Sequence, residues 1–221
     1  MNEKTSQRIF FFTGLGADER AFAFLKIKTP LPKIHVKWLS PKKNEGMAAY
    51  CLRLKEAYGI RKEDVLIGLS FGGMVATEIS LTTGSHLTVL ISSAATRQEL
   101  PPLYRLAGKT GIHRLIPKSV LTRPGKLKYH LFGLRKPEQR RLFDEIIKQA
   151  DVNFVRWAIG RVVTWNNTER PENLVKIHGT ADRILPIHRP STDYVISGGS
   201  HFLTWEKAGE VSDILNRLLK P

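Results

Sequence analysis

Residues 64–76 read Asp-Val-Leu-Ile-Gly-Leu-Ser-Phe-Gly-Gly-Met-Val-Ala. Val65–Ile67 is a short apolar run with β-branched members, which is typical of a strand buried on both faces. Met74 to Leu81 consists mainly of small and apolar residues and predicts a helix. Between them, the run from Gly68 to Gly72 turns the chain. The stretch therefore predicts a strand, a tight turn and a helix, with Ser70 at the turn.

The glycines around Ser70 indicate what this turn is for. A serine on so tight a turn takes a strained backbone conformation, and its neighbours must be small so that strand and helix can pass closely. Gly68 and Gly72 supply this clearance, and Gly73 extends it. The Ser70 hydroxyl would lie beside a helix N-terminus, which favours developing negative charge. The stretch matches the context of a nucleophile elbow, and the alternative is a glycine-rich turn with a solvated serine.

Composition indicates an ordinary globular protein. At 221 residues, with 42% hydrophobic and 25% charged residues, the chain suits one domain with a sizeable core. The chain has no apolar run near the roughly 20 residues that a transmembrane helix needs. The polar stretch Met1–Gln7 does not resemble a signal peptide. The single cysteine, Cys51, excludes an internal disulfide and favours a cytoplasmic location. It is predicted to lie in an amphipathic helix, with its side chain buried.

The net charge of +15 is unevenly distributed. Thr96–Pro171 holds 16 Lys and Arg against 6 Asp and Glu. Three interpretations remain open: a solvated face, attraction of an anionic substrate such as an acyl-thioester, or peripheral docking on acidic lipid. Nucleic-acid binding is not expected, because no recognised motif accompanies the charge.

Strand and helix patterns alternate along most of the chain. This alternation predicts an α/β fold: a mostly parallel six-stranded sheet flanked by helices. Helices are predicted at Glu19–Lys26, with Asp18 as its cap, at Glu45–Tyr58 and at Thr204–Leu219. The six predicted strands are Arg8–Thr13, His35–Leu39, Val65–Ile67, Leu87–Ile91, Leu174–Ile177 and Asp193–Ile196.

Thr96–Pro171 interrupts the alternation. It contains prolines at 101, 102, 117, 124 and 137 and helical patterns, clearest in Pro137–Gln149 and Val152–Val163, but no convincing strand. We predict a helical lid insertion at 96–171, over a core made of residues 1–95 and 172–221. Four aromatic residues of the lid either line a substrate pocket or pack within the lid: Phe143, Phe154, Trp157 and Trp165.

Chemically useful residues follow four of the predicted strands. They are Leu15, within Gly14-Leu15-Gly16, then Ser70, Asp182, within His178-Gly179-Thr180-Ala181-Asp182, and His201, which ends Gly198-Gly199-Ser200-His201. The carboxyl ends of parallel strands meet at one sheet edge, where α/β proteins place their sites. The chain resembles the α/β-hydrolase superfamily over essentially its whole length, in these motifs and in the order serine, acid, histidine.

The resemblance implies a role for each of these residues. Ser70 would be the nucleophile, His201 the general base and acid, and Asp182 the group that orients His201. The backbone N–H groups of Phe71 and Leu15 would form the oxyanion hole. Many relatives have His-Gly in the loop after the first strand, whereas this chain has Thr13-Gly14, so Gly16 remains an alternative to Leu15.

The remaining candidates have simpler explanations. His178 is expected to be a hydrogen-bonded histidine under the site, and His188 to lie on an exposed loop. Asp193 and Glu99 could replace Asp182 as the acid, but neither follows a strand in the right register. The other histidines are expected on the surface or in the lid: His35, His86, His113 and His130. Neither a metal site nor a dinucleotide cofactor is indicated.

The function predicted from these observations is a serine hydrolase that cleaves a small-molecule carboxylic ester or thioester through an acyl-enzyme and without a cofactor. An anionic substrate remains possible. Two alternatives remain. The same triad could serve C–C hydrolysis or acyl transfer, or the chain could be a low-turnover, lidded ligand-binding protein. The short lid favours short acyl groups. Oligomeric state is not fixed by the sequence.

Overall fold

A six-stranded parallel sheet runs through the centre of the protein. The structure is a computed structural model and describes residues 7–220, without the side chains of Lys118 and Thr122. Residues 1–6 and Pro221 lie outside the described residues. They belong to the predicted core, and residues 1–6 also belong to the polar N-terminal stretch. The sheet order is β2-β1-β3-β4-β5-β6, and every pairing is parallel. The strands are β1 Ile9–Phe12, β2 Lys33–His35, β3 Val65–Leu69, β4 Leu87–Ile91, β5 Leu174–Gly179 and β6 Tyr194–Ile196.

The predicted α/β fold is confirmed, and the sheet is parallel throughout its described strands. Helices α1 and α2 end at Gly59 and Gly84, both with positive φ (56° and 63°), which a glycine adopts without a Cβ clash. The helices are α1 Met47–Tyr58, α2 Phe71–Thr83, α3 Pro102–Thr110, α4 Lys118–Thr122, α5 Lys126–Phe132, α6 Pro137–Gln149, α7 Val152–Val163, α8 Leu203–Glu206 and α9 Ala208–Leu218.

Both faces of the sheet are buried. Alternate residues of β1 and β3 point to opposite sides, so Phe11 and Ile67 pack with α9 while Phe10 and Leu66 pack with α1 and α2. Cys51 is among the buried residues of α1, as predicted, and burial raises the pKa of its thiol well above the ordinary value. This two-sided burial is why the central strands are continuous apolar runs in the sequence.

Three predicted elements are wrong in extent. The helix predicted at Thr204–Leu219 is divided at Lys207 into α8 and α9. The second strand is Lys33–His35 rather than His35–Leu39, because the chain leaves the sheet after the Val36 N–H bonds to Phe11. Trp38 then stacks on Phe154, with ring centroids 5.3 Å apart. The predicted helix Glu19–Lys26 is a 3-10 turn over Glu19–Phe22, although Asp18 does accept from the Arg20 N–H at its start.

Between β4 and β5 the described chain forms helices α3–α7 and short 3-10 turns, and no strand. Glu99, at the start of this region, forms an ion pair with Lys176 of β5, and both side chains are almost fully buried. Burial lowers the pKa of the Lys176 ammonium, and Glu99 opposes that shift. Within residues 7–220, no helix has the length and apolarity needed to cross a bilayer.

Candidate active site

Ser70 occupies a strained turn between β3 and α2. Its φ of 53° lies in the left-handed region, which serine rarely adopts. A Cβ atom on Gly68 would collide with the backbone of Gly72 and Gly73, and one on Gly72 would collide with carbonyls of Phe12 and Thr13. The Ser70 N–H bonds to Ile91 of β4 at 2.9 Å. The turn therefore has the tight geometry that the sequence predicts.

The structure brings together the three residues assigned to catalysis. Asp182 follows β5 and His201 follows β6, so the parallel sheet carries both to the edge where Ser70 lies. The Ser70 hydroxyl is 2.9 Å from His201 Nε2, and His201 Nδ1 is 2.8 Å from Asp182 Oδ2. With an acceptor on the carboxylate side, the imidazole carries its proton on Nδ1 and accepts from Ser70 through Nε2. Asp182 and His201 are buried, whereas Ser70 is partly exposed.

Asp182 is held by donors on both of its oxygens. Oδ1 accepts from the backbone N–H groups of Ile184 and Leu185, each at 2.9 Å. Oδ2 lies 3.2 Å from His178 Nε2, besides the bond from His201. Burial alone would raise the pKa of this carboxyl, but the two histidines outweigh it and hold the pKa well below its ordinary value. The carboxylate therefore remains ionised at neutral pH.

His178 is the residue whose position the sequence left least defined. It is buried, donates from Nε2 to the Leu185 carbonyl at 2.8 Å, and contacts Asp182 rather than Ser70. It thus lies under the site, as expected, and contacts the same carboxylate oxygen of Asp182 as His201 does. Its i, i+4 spacing from Asp182 within His-Gly-x-x-Asp is the sequence signal that could have suggested this contact.

The two residues assigned to the oxyanion hole line the same cavity as Ser70. Phe71 is the first residue of α2, so its N–H has no intrahelical acceptor. Leu15 lines the same cavity as Ser70, and a Cβ on Gly14 would be 3.7 Å from Ser70 Cβ. Gly16, the alternative donor, lines a neighbouring cavity and packs against Val155. The position of Leu15 therefore suits the assigned role better than that of Gly16.

An apolar cavity of about 510 Å³ opens beside Ser70. The described residues of its wall include no Asp, Glu, Lys or Arg. The Tyr104 hydroxyl donates to the Ile184 carbonyl at 2.8 Å, and His113 Nδ1 is 3.1 Å from Ala107 O. Its aliphatic and aromatic lining comes from the loop after β1, α2, α3, the 3-10 turn after α3, α7 and the loop after β5: Leu15, Phe71, Met74, Leu103, Ala107, Ile112, Ile116, Ile159, Val162, Val163, Ile184 and Leu185.

The four aromatic residues predicted to line the pocket lie elsewhere. Phe143 packs with Phe132 and Phe202 in the core, and Phe154 lines the neighbouring cavity beside Trp38. Trp157 and Trp165 use their ring N–H groups internally, donating to Glu45 O and to Glu78. These indoles are amphipathic and have buried partners, so aliphatic residues of α3 and α7 are left to form the wall.

The remaining sequence candidates take no part in this arrangement. Asp193 pairs with Arg170 at 2.9 Å, and Glu99 pairs with Lys176. His188 lies on a loop, where Nδ1 is 3.0 Å from Ser191 Oγ. Across residues 7–220, no group of three or more His, Cys, Asp or Glu side chains is arranged to hold a metal ion.

No family model and no curated protein sequence matches the chain, but solved structures do. A thermophilic esterase from Thermogutta terrifontis, with malate bound, has a TM-score of 0.73 at 17% identity, over 97% of this chain and 90% of the esterase. An esterase from Exiguobacterium antarcticum scores 0.69 at 13%, over 98% and 92%. A bromoperoxidase from Bacillus anthracis scores 0.66 at 15%, over 98% and 93%. At these identities the likeness establishes the fold they share and leaves the reaction open.

Proposed function

We propose that this chain, which has the α/β-hydrolase fold, is a serine hydrolase that cleaves carboxylic esters through an acyl-enzyme. The observation that supports it most is the continuous hydrogen-bonded series from Ser70 through His201 to Asp182 at the wall of an apolar cavity. A strained serine, a histidine base and a buried carboxylate in this order make an activated nucleophile.

In the first half of the reaction, the Ser70 oxygen attacks the ester carbonyl carbon while His201 Nε2 takes the hydroxyl proton. The carbonyl π electrons move to the oxygen, whose charge the Phe71 and Leu15 N–H groups stabilise. The tetrahedral carbon then expels the alcohol, which receives the proton from His201. Asp182 remains ionised and stabilises the imidazolium throughout.

In the second half, water replaces the alcohol. His201 takes a proton from water as the water oxygen attacks the acyl carbon, and returns it to Ser70 when the acid leaves. The chain's own residues supply every proton transfer, so the proposed reaction needs no cofactor. The buried single cysteine, Cys51, is compatible with a cytoplasmic location, which we include in the proposal.

The cavity wall supports an apolar acyl group. Burying an ionised group there would cost several kcal/mol, because none of the described lining residues could neutralise its charge. The acyl portion of the substrate is therefore neutral and apolar. A thioester is equally compatible with this arrangement, provided that any anionic part of its leaving group stays outside the cavity.

The test is the intact mass after treatment with a fluorophosphonate probe. Wild type should gain one probe per chain, whereas Ser70→Ala and His201→Ala should not. Ser93→Ala is the matched control, because Ser93 Oγ donates to the Ser70 carbonyl at 2.6 Å without being the proposed nucleophile. On a soluble ester, Ser70→Ala should lower kcat by at least about 10³-fold with little change in Tm.

Labelling of Ser70→Ala at the wild-type rate would identify another nucleophile and contradict the assignment. Failure of folded wild type to label would contradict an activated Ser70. The ligand-binding alternative, for which the apolar cavity is the supporting observation, would then take precedence, and slow release of a bound fatty acid would be the measurement to make.

A further inference from the structure

The exposed apolar side chains of this protein are concentrated in one segment. Within the described chain, every large hydrophobic side chain that is more than half exposed lies between residues 103 and 127. Scattered exposed apolar residues are normal, but six within one short segment require an explanation. They are Leu103 (70%), Leu106 (55%), Ile112 (61%), Leu115 (79%), Val120 (54%) and Leu127 (70%).

The same segment is the most basic part of the chain. No Asp or Glu occurs between Glu99 and Glu138, and nine Lys and Arg residues do. Between residues 103 and 127, where the exposed aliphatic side chains lie, four of the described cations are exposed and form no ion pair within residues 7–220: Lys109, Arg114, Arg123 and Lys126. We call these four cations and the six apolar side chains the basic–apolar surface.

The basic–apolar surface adjoins the Ser70 cavity. Leu103 and Ile112 belong to both, since they line the cavity and are also more than 60% exposed. Helix α3, which carries Leu103, packs so closely on α7 that a Cβ on Gly108 would collide with the Val163 carbonyl. The cavity therefore borders the basic–apolar surface at Leu103 and Ile112.

We propose that the basic–apolar surface docks on an anionic lipid bilayer. Aliphatic side chains interleaved with cations suit the boundary between headgroups and acyl chains, where apolar groups insert and cations meet lipid phosphates. A single-stranded nucleic acid would favour exposed rings for base stacking, and the described exposed residues of 101–132 include no Phe, Tyr or Trp. A second copy of this chain would be repelled by its own charge of +15.

This docking goes beyond the proposed hydrolysis. It would direct the mouth of the cavity toward the bilayer, so that an apolar substrate could pass from lipid into the protein without crossing water. It would also explain why the segment keeps its aliphatic side chains in solvent when the central strands of the sheet are covered on both faces.

The experiment is co-sedimentation with phosphatidylcholine vesicles, with and without phosphatidylglycerol. Wild type should bind the anionic vesicles at low salt and lose most binding near 1 M salt, where the Debye length falls to about 3 Å. A variant with Lys109, Arg114, Arg123 and Lys126 changed to Gln should lose at least about 100-fold in partition coefficient. A variant with Leu106, Leu115 and Val120 changed to Ser should lose at least about tenfold.

The matched control changes Lys26, Lys28, Arg61 and Lys62 to Gln. These exposed cations precede β2 and β3, at the sheet edge opposite the site, and their removal lowers net charge equally. The control should bind within about threefold of wild type. All variants should keep the wild-type Tm and the wild-type turnover of a soluble ester. If no ester is turned over, they should keep the wild-type rate of probe labelling.

Several results would overturn the proposal. Equal binding to both vesicle types would remove the electrostatic part, and equal loss in the control would show that only net charge matters. If wild type self-associated in the absence of vesicles and the Leu106, Leu115 and Val120 variant did not, the surface would be an interface between copies of this chain. Binding only to soluble acidic proteins would assign it to a protein partner.

Discussion

At the scale of single residues, the carboxylate of Asp182 connects two histidines that face different directions. His201 reaches toward Ser70, and His178 reaches toward the Leu185 carbonyl under the site. His178 Nδ1 is buried without a hydrogen-bond partner among the described residues. Only its Nε2–H is used, which indicates that its function is to donate to the loop that carries the acid.

We expect His178→Gln to retain most activity and His178→Asn to lose it about 10- to 100-fold in kcat. A Gln amide nitrogen reaches the position of Nε2, whereas an Asn nitrogen reaches only that of Nδ1. The loss corresponds to one hydrogen bond with a charged partner. The measurement is kcat and the probe-labelling rate for both variants. Equal losses in the two variants would contradict a role for the Nε2 donor.

The pH dependence of stability provides a second test at this scale. The pKa of Asp182 in the folded protein is held below its ordinary value of 3.8, so its ionised form contributes stability above that pH. This contribution is lost as pH falls toward the folded pKa. In urea unfolding, the stability difference between wild type and Asp182→Asn should stay level down to about pH 5 and shrink below about pH 4.

A difference that shrank between pH 7 and 5 would contradict this assignment of the titrating group. Such a change would place the pH-sensitive interaction on a histidine instead. The comparison needs only folded protein, so it is independent of whether a substrate has been found.

At the scale of elements, the sequence correctly predicted the strands that are buried on both faces, because two-sided burial leaves a continuous apolar run. The central strands and the elbow are continuous apolar runs with glycine at the close approaches, and the structure confirms their positions. The edge strand β2 was misplaced, because its exposed, three-residue ladder leaves little pattern. The apolar cavity wall could not be predicted, since periodicity does not tell which neighbour a helix face meets.

The buried ion pair between Glu99 and Lys176 fixes the start of the helical region to the sheet. Glu99→Gln would leave the Lys176 ammonium buried without its counter-charge and should destabilise the fold by about 3–5 kcal/mol. Urea unfolding should show that the double variant Glu99→Leu with Lys176→Met recovers most of this loss. If the single variant is as stable as wild type, the pair has no structural role.

At the scale of the whole molecule, an open parallel sheet explains why the site could be predicted from chain order. Strand ends far apart in sequence meet at one edge, so three motifs after three strands predict one location. The distribution of exposed aliphatic residues beside the cavity had no such signal, because it depends on which side chains the packing leaves uncovered.

The size of the cavity leads to a prediction for the proposed ester hydrolysis. Each acyl methylene buried against its aliphatic wall should contribute about 0.8 kcal/mol. With p-nitrophenyl esters, kcat/KM should therefore rise about fourfold per added methylene beyond acetyl until the cavity of about 510 Å³ is filled. A carboxylate at the end of the acyl chain should cancel the gain.

The short helical region led us to expect short acyl groups from the sequence. That expectation would instead give a maximum of kcat/KM at acetyl or propionyl. A profile of that kind would contradict entry of the acyl chain into the apolar cavity. Measurements in detergent-free buffer below the aggregation limit of each ester keep the comparison to monomeric substrates.

The pairing of β4 with β5 joins Val89 to Val175, across the whole helical region. During synthesis on the ribosome, the strained turn at Ser70 can form with β1, β3 and β4 well before Asp182 and His201 emerge. A nascent or truncated chain that stops within the helical region therefore holds the serine without its base. The proposed nucleophile would therefore gain its base only when the last fifth of the polypeptide has docked.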